Sequence, residues 1–269
     1  MIPDPGLYIG RFAPSPTGPL HFGSLVAAVG SYLEARAHGG RWLLRMEDID
    51  TLRIVSGAAD QILRQLEAFG FEWDGPVVVQ SERLDSYHAA LHALRTAGLV
   101  FPCACSRKEM ADSSLARDGS RRYPGTCRQG LPAGREARAW RFLAPSGEIG
   151  WQDAVQGEQR EDVVRDVGDF VLLRADGQFA YQLAVVVDDA EQGVSHVVRG
   201  ADLLDSTGRQ IALQQALAVA TPQYAHLPVA TNAQGEKLSK QTLARAMELV
   251  APEQSLLQAL RFLGQDPPM

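Results

Sequence analysis

Two hydrophobic periods alternate along the first hundred residues. Tyr8 to Ala13 and Trp42 to Met46 are short apolar runs that predict strands, and Val77 to Val79 predicts a third. Gly23 to Ala37 is rich in Ala and Leu and is closed by Gly39-Gly40, which predicts a helix. Ile62, Leu63, Leu66 and Phe69 keep helical spacing up to Gly70; Leu84, Tyr87, His88, Leu91 and Leu94 keep it up to Gly98. Pro14, Pro16, Gly18 and Pro19 forbid regular structure between the first strand and the first helix. Strand and helix thus alternate three times, which predicts an α/β protein with a Rossmann-type doubly wound parallel sheet.

Periodicity fails from Pro102 to about Trp140, where Cys, Arg, Gly and Pro dominate. This predicts an inserted module that something other than an apolar core must hold. Beyond it, Phe170–Arg174 and Phe179–Val187 flank Ala175-Asp176-Gly177-Gln178 and predict a hairpin. Val194 to Val198 predicts a strand, Leu203 to Val219 a helix, and the tail from Leu243 one or two helices. Val229 to Asn232 leads into a lysine-bearing loop.

Composition narrows the class. A chain of 269 residues that is 45% hydrophobic can bury a real core, and 22% charge excludes a disordered tail or a fibre. No run of 18 apolar residues occurs, so no membrane partner is expected. The start of the chain lacks the pattern of a secretory signal, and three cysteines do not pair off, so a reducing cytoplasm is expected. The net charge of −6 hides an asymmetry: residues 107–141 carry nine Lys/Arg against four Asp/Glu, and the remainder 17 against 28. That insert is either an Arg-rich solvated loop or a phosphate-binding patch. Lysine is rare. Only Lys108, Lys237 and Lys240 occur against 23 arginines, and two of them lie three residues apart in Gly235-Glu236-Lys237-Leu238-Ser239-Lys240. Lysine is a compact charge on a flexible stem and suits a moving phosphate contact.

Two constellations carry chemistry. The first runs from Gly10 through Arg11-Phe12-Ala13-Pro14-Ser15-Pro16-Thr17-Gly18-Pro19-Leu20 to His21-Phe22-Gly23-Ser24. It reads strand, rigid loop, His-x-Gly, helix. A helix N-terminus behind a loop collects unpaired N–H groups and positive dipole and accepts phosphate. The second is Cys103-Ala104-Cys105 with Tyr123 and Cys127, which gathers every cysteine within 25 residues of the coreless module. Zinc often holds such modules through thiolates. No histidine lies between 93 and 195, so a fourth ligand is Asp, Glu, Tyr or water.

The joint pattern resembles class I aminoacyl-tRNA synthetases. His21-Phe22-Gly23-Ser24 looks like their HIGH element and Lys237-Leu238-Ser239-Lys240-Gln241 like their KMSKS element, with Ser24 and Gln241 departing from the last residue of each. The string RFAPSPTGPLHFGS, with Glu47-Asp48-Ile49-Asp50 and Arg199-Gly200-Ala201-Asp202-Leu203-Leu204, narrows the resemblance to the glutamyl/glutaminyl subclass. It implies residues 1–101 and 141–242 as two halves of a nucleotide-binding catalytic domain, 102–140 as an inserted zinc-binding basic module, and 243–269 as a short helical tail. It implies activation of L-glutamate by ATP with Mg²⁺. His21, Gly23, Lys237 and Lys240 would be catalytic, and Ser24 and Leu238 would join them around ATP. Arg11, Phe12, Ala13, Pro14, Ser15, Glu47, Tyr181 and Arg199 would bind glutamate. The short paralogues of the glutamyl enzymes carry Cys-x-Cys and Tyr-x₃-Cys, which implies one structural Zn²⁺ on Cys103, Cys105, Tyr123 and Cys127. Arg121, Arg122 and Arg128 would then face RNA phosphates.

Only 28 residues follow Gln241, too few for an anticodon-binding domain. The resemblance therefore points to the short paralogues, which activate glutamate without tRNA and place it on the queuosine base of tRNA(Asp). The anticodon loop would enter the catalytic cleft itself. A monomer is expected. Two alternatives stand beside this: a minimal glutamyl enzyme charging a tRNA 3′ end, and an inactive synthetase-like RNA-binding protein. The intact His21, Gly23, Lys237 and Lys240 speak against the second.

Overall fold

Strands β1 (Ile9–Phe12), β2 (Arg41–Met46) and β3 (Val78–Val79) alternate with helices α1 (Phe22–Ala37), α2 (Ala58–Ala68) and α3 (Leu84–Thr96), as the periodicity predicts. The computed structural model describes residues 7–106, 108–110, 113–116, 119–230 and 251–267. The three strands pair in parallel in the order β1-β2-β3, with Ile9 opposite Arg41 and Arg45 opposite Val78. Strand alternation sorts their side chains. Phe12, Trp42, Leu44 and Met46 face a core built with Leu25 and Val29 of α1 and Ile62 and Leu66 of α2. Trp42 is wholly buried there and its indole N–H donates to Ser31 Oγ at 3.0 Å. Arg11 and Arg45 point to the opposite face.

The second half supplies β4 (Val100–Cys103), β5 (Ala139–Phe142), β6 (Glu148–Asp153), β7 (Gly157–Asp162), α4 (Val163–Asp166), β8 (Val171–Leu173), α5 (Tyr181–Glu191), β9 (His196–Gly200), α6 (Thr207–Ala216), β10 (Gln223–Leu227) and α7 (Pro252–Phe262). β9, β10 and β6 are parallel neighbours, and β7 closes that sheet as an antiparallel edge. The two sheets adjoin at β1. Ser195 donates its backbone N–H to the Ile9 carbonyl at 2.9 Å, and its hydroxyl accepts the Ile9 N–H at 2.8 Å. Helices α3, α5 and α6 pack on the face opposite α1 and α2, so the sheet is covered on both sides. β4, β5 and β8 form a separate antiparallel sheet at the root of the insert, so the doubly wound parallel sheet is only part of the architecture.

The predicted hairpin at 175–178 is half right. The chain does reverse there, with Gly177 at φ +81° and Leu173 bridging Phe179. Its second arm is not a strand: Tyr181–Glu191 is helix α5. Leu183 to Asp189 is buried without a break, so the segment shows no polar face, and its three consecutive valines imitate a buried strand. The predicted helix over 203–219 opens as a 3-10 turn at Ala201–Ser206 and becomes α6 at Thr207. The β6–β7 hairpin and β10 were not predicted, and the predicted strand at Val194–Val198 begins two residues later as β9. In the tail, Leu256, Ala259 and Leu260 of α7 pack on the first core, and Phe262 meets Phe22 edge-on at 5.9 Å. α1 sits tightly on the second sheet: a Cβ on Gly30 would come within 2.5 Å of Leu227.

A buried ion network fastens α5 to the first sheet. Arg45, fully buried, donates to Asp189 at 2.8 Å and to Gln192 at 2.6 Å, and its guanidinium lies 3.4 Å from Glu47. Arg11 Nε donates to the same Asp189 at 3.2 Å. Asp188, beside it, accepts from Gln80 at 2.8 Å, Arg83 at 2.6 Å and Tyr87 at 2.9 Å. Removing one partner of such a cluster strands the other charges in a dry interior. Arg45→Met should lower the unfolding free energy by about 3–5 kcal/mol in urea denaturation.

A second buried pair ties β6 to β10, which share only one register position, Tyr224 opposite Asp153. The Asp153 carboxylate accepts the His226 backbone N–H at 3.1 Å and its Nδ1–H at 2.5 Å. Burial and the nearby Arg199 push the His226 pKa down to about 4. Unfolding returns it to near 6.5, so between these values the unfolded chain binds a proton that the folded chain does not. Stability should therefore fall by roughly 2–3 kcal/mol as pH drops from about 6.5 to 4. His226→Gln should flatten that part of the urea-midpoint profile.

Candidate active site and cysteine cluster

A cavity of about 950 Å³ opens where the carboxyl ends of β1, β2, β9 and β10 meet. Open parallel sheets bind ligands at such a crevice, where strand order reverses. The proline-rich loop forms its floor. That loop is held by its backbone: the Pro14 carbonyl accepts from Glu47 N and the Pro16 carbonyl from Val55 N, both at 3.0 Å. The Leu20 N–H donates to the Gln65 side chain at 2.8 Å. Rigid prolines and these cross-links fix Ala13, Pro14 and Ser15 along one wall of the cavity.

The α1 N-terminus forms a second wall. His21 is its N-cap, and its ring Nδ1 accepts the Ser24 N–H at 3.2 Å. The neutral ring then carries its proton on Nε2. No acidic residue lies in the first turn of α1, so the positive end of the helix dipole is not cancelled there. His21, Gly23 and Ser24 all line the cavity, beside Val229 and Ala230, the last described residues before the lysine-bearing segment. Lys237, Leu238 and Lys240 lie outside the described residues, as do Asn232 and Gln241.

The polar end of the cavity gathers the remaining residues named from sequence. Arg11 and Arg199 are both buried and both line it, as do Phe12, Glu47 and Tyr181. Arg11 is held through Nε by Asp189, and no bond among the described residues occupies its Nη nitrogens. Arg199 donates from Nε to His226 at 3.0 Å, from Nη1 to Gln210 at 2.8 Å and from Nη2 to Thr207 at 2.9 Å. Its two longest bonds, both 3.4 Å, go to the Tyr181 hydroxyl and the Leu203 carbonyl. An incoming carboxylate would replace these first. Burial raises the pKa of Glu47 above the usual carboxylate range, against the pull of Arg45 and Arg11. Burial raises the Tyr181 phenol as well, so it stays a neutral donor. The result is two arginines, one acid and one phenol converging on one space. That set complements a small molecule with carboxylates and an amine.

Sequence reasoning missed the residues behind this first layer. Asp189, Arg45 and His226 touch Arg11, Glu47 and Arg199 from outside the cavity, and Asp153 holds His226 in turn. Their signal was weak but present: Asp188-Asp189 interrupts a run of valines, and His226 stands alone in an apolar strand. Polar groups at core positions hold hydrogen-bond partners as a rule.

The cysteines also come together. The Sγ atoms of Cys103, Cys105 and Cys127 all lie within 4.8 Å of one another. Cys105 and Cys127 are 3.7 Å apart, and the Tyr123 hydroxyl lies 3.6 Å from Cys103 and 3.9 Å from Cys105. Ligands ~2.3 Å from a tetrahedral zinc would sit ~3.8 Å apart, so the spacing suits a metal ion. Burial works against ionising Cys103, but its contact with the Tyr123 hydroxyl and a hydrogen bond from Arg141 hold its pKa below the usual thiol value. Ala104, Met110, Phe101 and Leu131 close a small apolar shell around the group. Of the three arginines named for RNA, Arg121 and Arg128 are exposed; Arg128 is paired with Asp169 at 3.4 Å and Arg121 donates to the Ser113 carbonyl.

The chain was compared with known proteins. Residues 9–266 match the family model described as tRNA synthetases class I (E and Q), catalytic domain. Over 97% of this chain and 82% of the relative, it is 67% identical to "Glutamyl-Q tRNA(Asp) synthetase" of Aromatoleum aromaticum. The protein of the same name in Dechloromonas aromatica is 65% identical over 97% of this chain and 87% of its own. Among solved structures, a glutamate tRNA ligase from Elizabethkingia meningosepticum in complex with its amino acid superposes with a TM-score of 0.76 at 30% identity. The match covers 87% of this chain but spans about half (52%) of that ligase. The cavity at the strand ends, the His21 helix start and these matches converge: the chain belongs to the class I tRNA synthetases (E and Q), among the proteins named glutamyl-Q tRNA(Asp) synthetase.

Proposed function

We propose that this protein activates L-glutamate with ATP, without needing tRNA, and transfers the glutamyl group to the queuosine base of tRNA(Asp). The observation that carries the reading of the amino acid is Arg199. It is buried, lines the cavity and, among the described residues, has no carboxylate within ion-pair distance. A buried cation held only by neutral groups is a receptor for an anion from solution. Arg11 supplies a second cation and Glu47 takes the ammonium. Ser15 and the Ala13–Pro14 backbone border the same space. The names of the 67% and 65% identical relatives carry the choice of queuosine and tRNA(Asp).

In activation, a glutamate carboxylate oxygen attacks the α-phosphorus of ATP, the bond to the β-phosphate oxygen breaks, and pyrophosphate leaves. The chain's part is to bring two anions together and to stabilise growing charge on phosphate. The α1 N-terminus and the His21 Nε2–H receive the phosphates, with the Gly23 backbone close beside. Lys237 and Lys240, with Leu238 between them, act from the segment that follows Ala230. Mg²⁺ accompanies ATP. In transfer, a hydroxyl of the queuosine base attacks the acyl carbon and AMP leaves. An unpaired, splayed base can reach a cleft of this size. The exposed Arg121 and Arg128, with Arg122, face the RNA backbone.

We also assign one structural Zn²⁺ to Cys103, Cys105, Tyr123 and Cys127. When bound it crosslinks the end of β4 to the 123–127 turn. The Cys127 N–H donates to the Tyr123 hydroxyl at 2.7 Å, which stabilises an ionised phenol facing a metal.

Glutamate-dependent ATP–pyrophosphate exchange should proceed in the absence of tRNA, and transfer should require queuosine in tRNA(Asp). Transfer to the unmodified tRNA at an equal rate would overturn the queuosine reading. Tyr181→Phe should raise the KM for glutamate about tenfold and leave the KM for ATP near the wild-type value, because one hydroxyl contact is lost at the amino-acid end only. Metal analysis of protein purified without added metal should give about one equivalent of zinc, and Cys127→Ser should lose it. A content below about half an equivalent excludes a tightly held four-ligand site.

A further inference from the structure

Behind Arg199 lies a buried chain of polar groups to which the glutamate reading assigns no part. Arg199 Nε has a hydrogen to donate and no lone pair to offer. Its partner at 3.0 Å, His226 Nε2, must therefore be the acceptor and carry no proton. The Thr207 hydroxyl reinforces this. It accepts from Arg199 Nη2 at 2.9 Å and lies 3.2 Å from the same Nε2, toward which it can turn its own hydrogen. The ring proton of His226 is on Nδ1, where Asp153 Oδ2 receives it at 2.5 Å. Asp153 is locked in turn by backbone N–H groups of Val155, Gln156 and His226 at 3.0, 2.9 and 3.1 Å. All of Asp153, His226, Thr207 and Arg199 are buried.

We propose that His226, oriented by Asp153, is a positioning residue for Arg199: its neutral ring fixes the guanidinium through Nε and leaves the full positive charge for the substrate carboxylate. The inference rests on the glutamate reading and deepens it. The comparison with Arg11 shows why a neutral acceptor matters. Arg11 is anchored at the same atom, Nε, but by the carboxylate of Asp189, whose charge is shared with Arg45. Among the described residues, no second arginine hydrogen-bonds to the His226 ring that anchors Arg199. A carboxylate at position 226 would cancel its charge and leave a neutral site. A hydrocarbon there would leave Nε unpaired and the guanidinium held through its Nη nitrogens alone. The imidazole avoids both, and Asp153 selects the tautomer that makes it an acceptor. The depressed pKa of His226, caused by burial and then by Arg199, keeps the ring neutral through the physiological range.

The test uses the full chain in glutamate-dependent ATP–pyrophosphate exchange. In His226→Asn the short amide keeps a partner for Asp153 but does not reach Arg199. In His226→Gln the side-chain oxygen reaches the place of Nε2 and accepts from Arg199. His226→Asn should raise the KM for glutamate about tenfold or more with the KM for ATP within about twofold, and His226→Gln should recover most of the loss. Equal damage to both KM values, or equal damage by Asn and Gln, would overturn the proposal. Should His226→Asn not fold, nitrogen NMR of the wild-type histidines decides: the proposal requires the proton of His226 on Nδ1, and a proton on Nε2 refutes it. Absence of exchange in the wild type would sink the glutamate reading and this role with it. An active wild type with an unaffected His226→Asn sinks the role alone.

Discussion

One carboxylate, that of Asp189, holds the site to the fold. It accepts from Arg11 on β1 and from Arg45 on β2, and it is carried by α5, which packs on the opposite face of the sheet from α1. Two cations around one anion leave the trio positive, and the neighbouring Glu47 lies against the same guanidinium of Arg45. Loss of this contact would release Arg11 and, through Arg45, Glu47 in one event. Packing and recognition are thus the same set of bonds. Buried ion clusters add little net stability for their desolvation cost, so geometry is the better account of why this one exists.

The other recognition arginine is built on the opposite electrostatic plan. Arg199 ends β9 and is surrounded by oxygen and nitrogen acceptors that carry no charge. Around one cavity, one cation is partly compensated and the other is not. A ligand with two carboxylates and one ammonium meets this asymmetry with a charge for each position. The His21 end of the cavity works by a third device, oriented N–H groups at a helix start. The three devices are spread over β1, β2, β9 and α1, which meet only because the sheet reverses its strand order there.

Much of this was legible from the sequence because two signals are local. Apolar periodicity located β1, α1, β2 and α3 to within a residue or two and marked α2 from Ile62, four residues after its start, and the Pro-rich string ahead of His21 marked the loop and helix start. The cysteine spacing placed Cys103, Cys105 and Cys127 in one cluster, and the family resemblance added Tyr123. The signal failed where burial removes contrast. α5 has no polar stripe because the sheet, α3 and α6 surround it, so its valines read as a strand. The residues that hold Arg11 and Arg199 from behind stayed hidden for a different reason. Arg11 and Asp189 are 178 residues apart, and Asp153 and His226 are 73 apart. Such pairings depend on strand order, which periodicity does not encode. β6 and β7 alternate weakly, with Glu148 and Gln152 exposed among buried Ile149 and Asp153, and carried too little pattern to be read.

His21 serves two masters. Its ring closes the first turn of α1 through Nδ1 and lines the cavity. Serine, asparagine or aspartate would cap the helix better, yet each spends its only short side chain on the backbone and has nothing left to extend outward. Imidazole is the one side chain with an acceptor for the helix and a donor for a phosphate on opposite edges of a rigid plane. At this position the protein forgoes some helix stability for reach. A redesign guided by helix stability alone would replace this very residue, and with it a ring that lines the cavity.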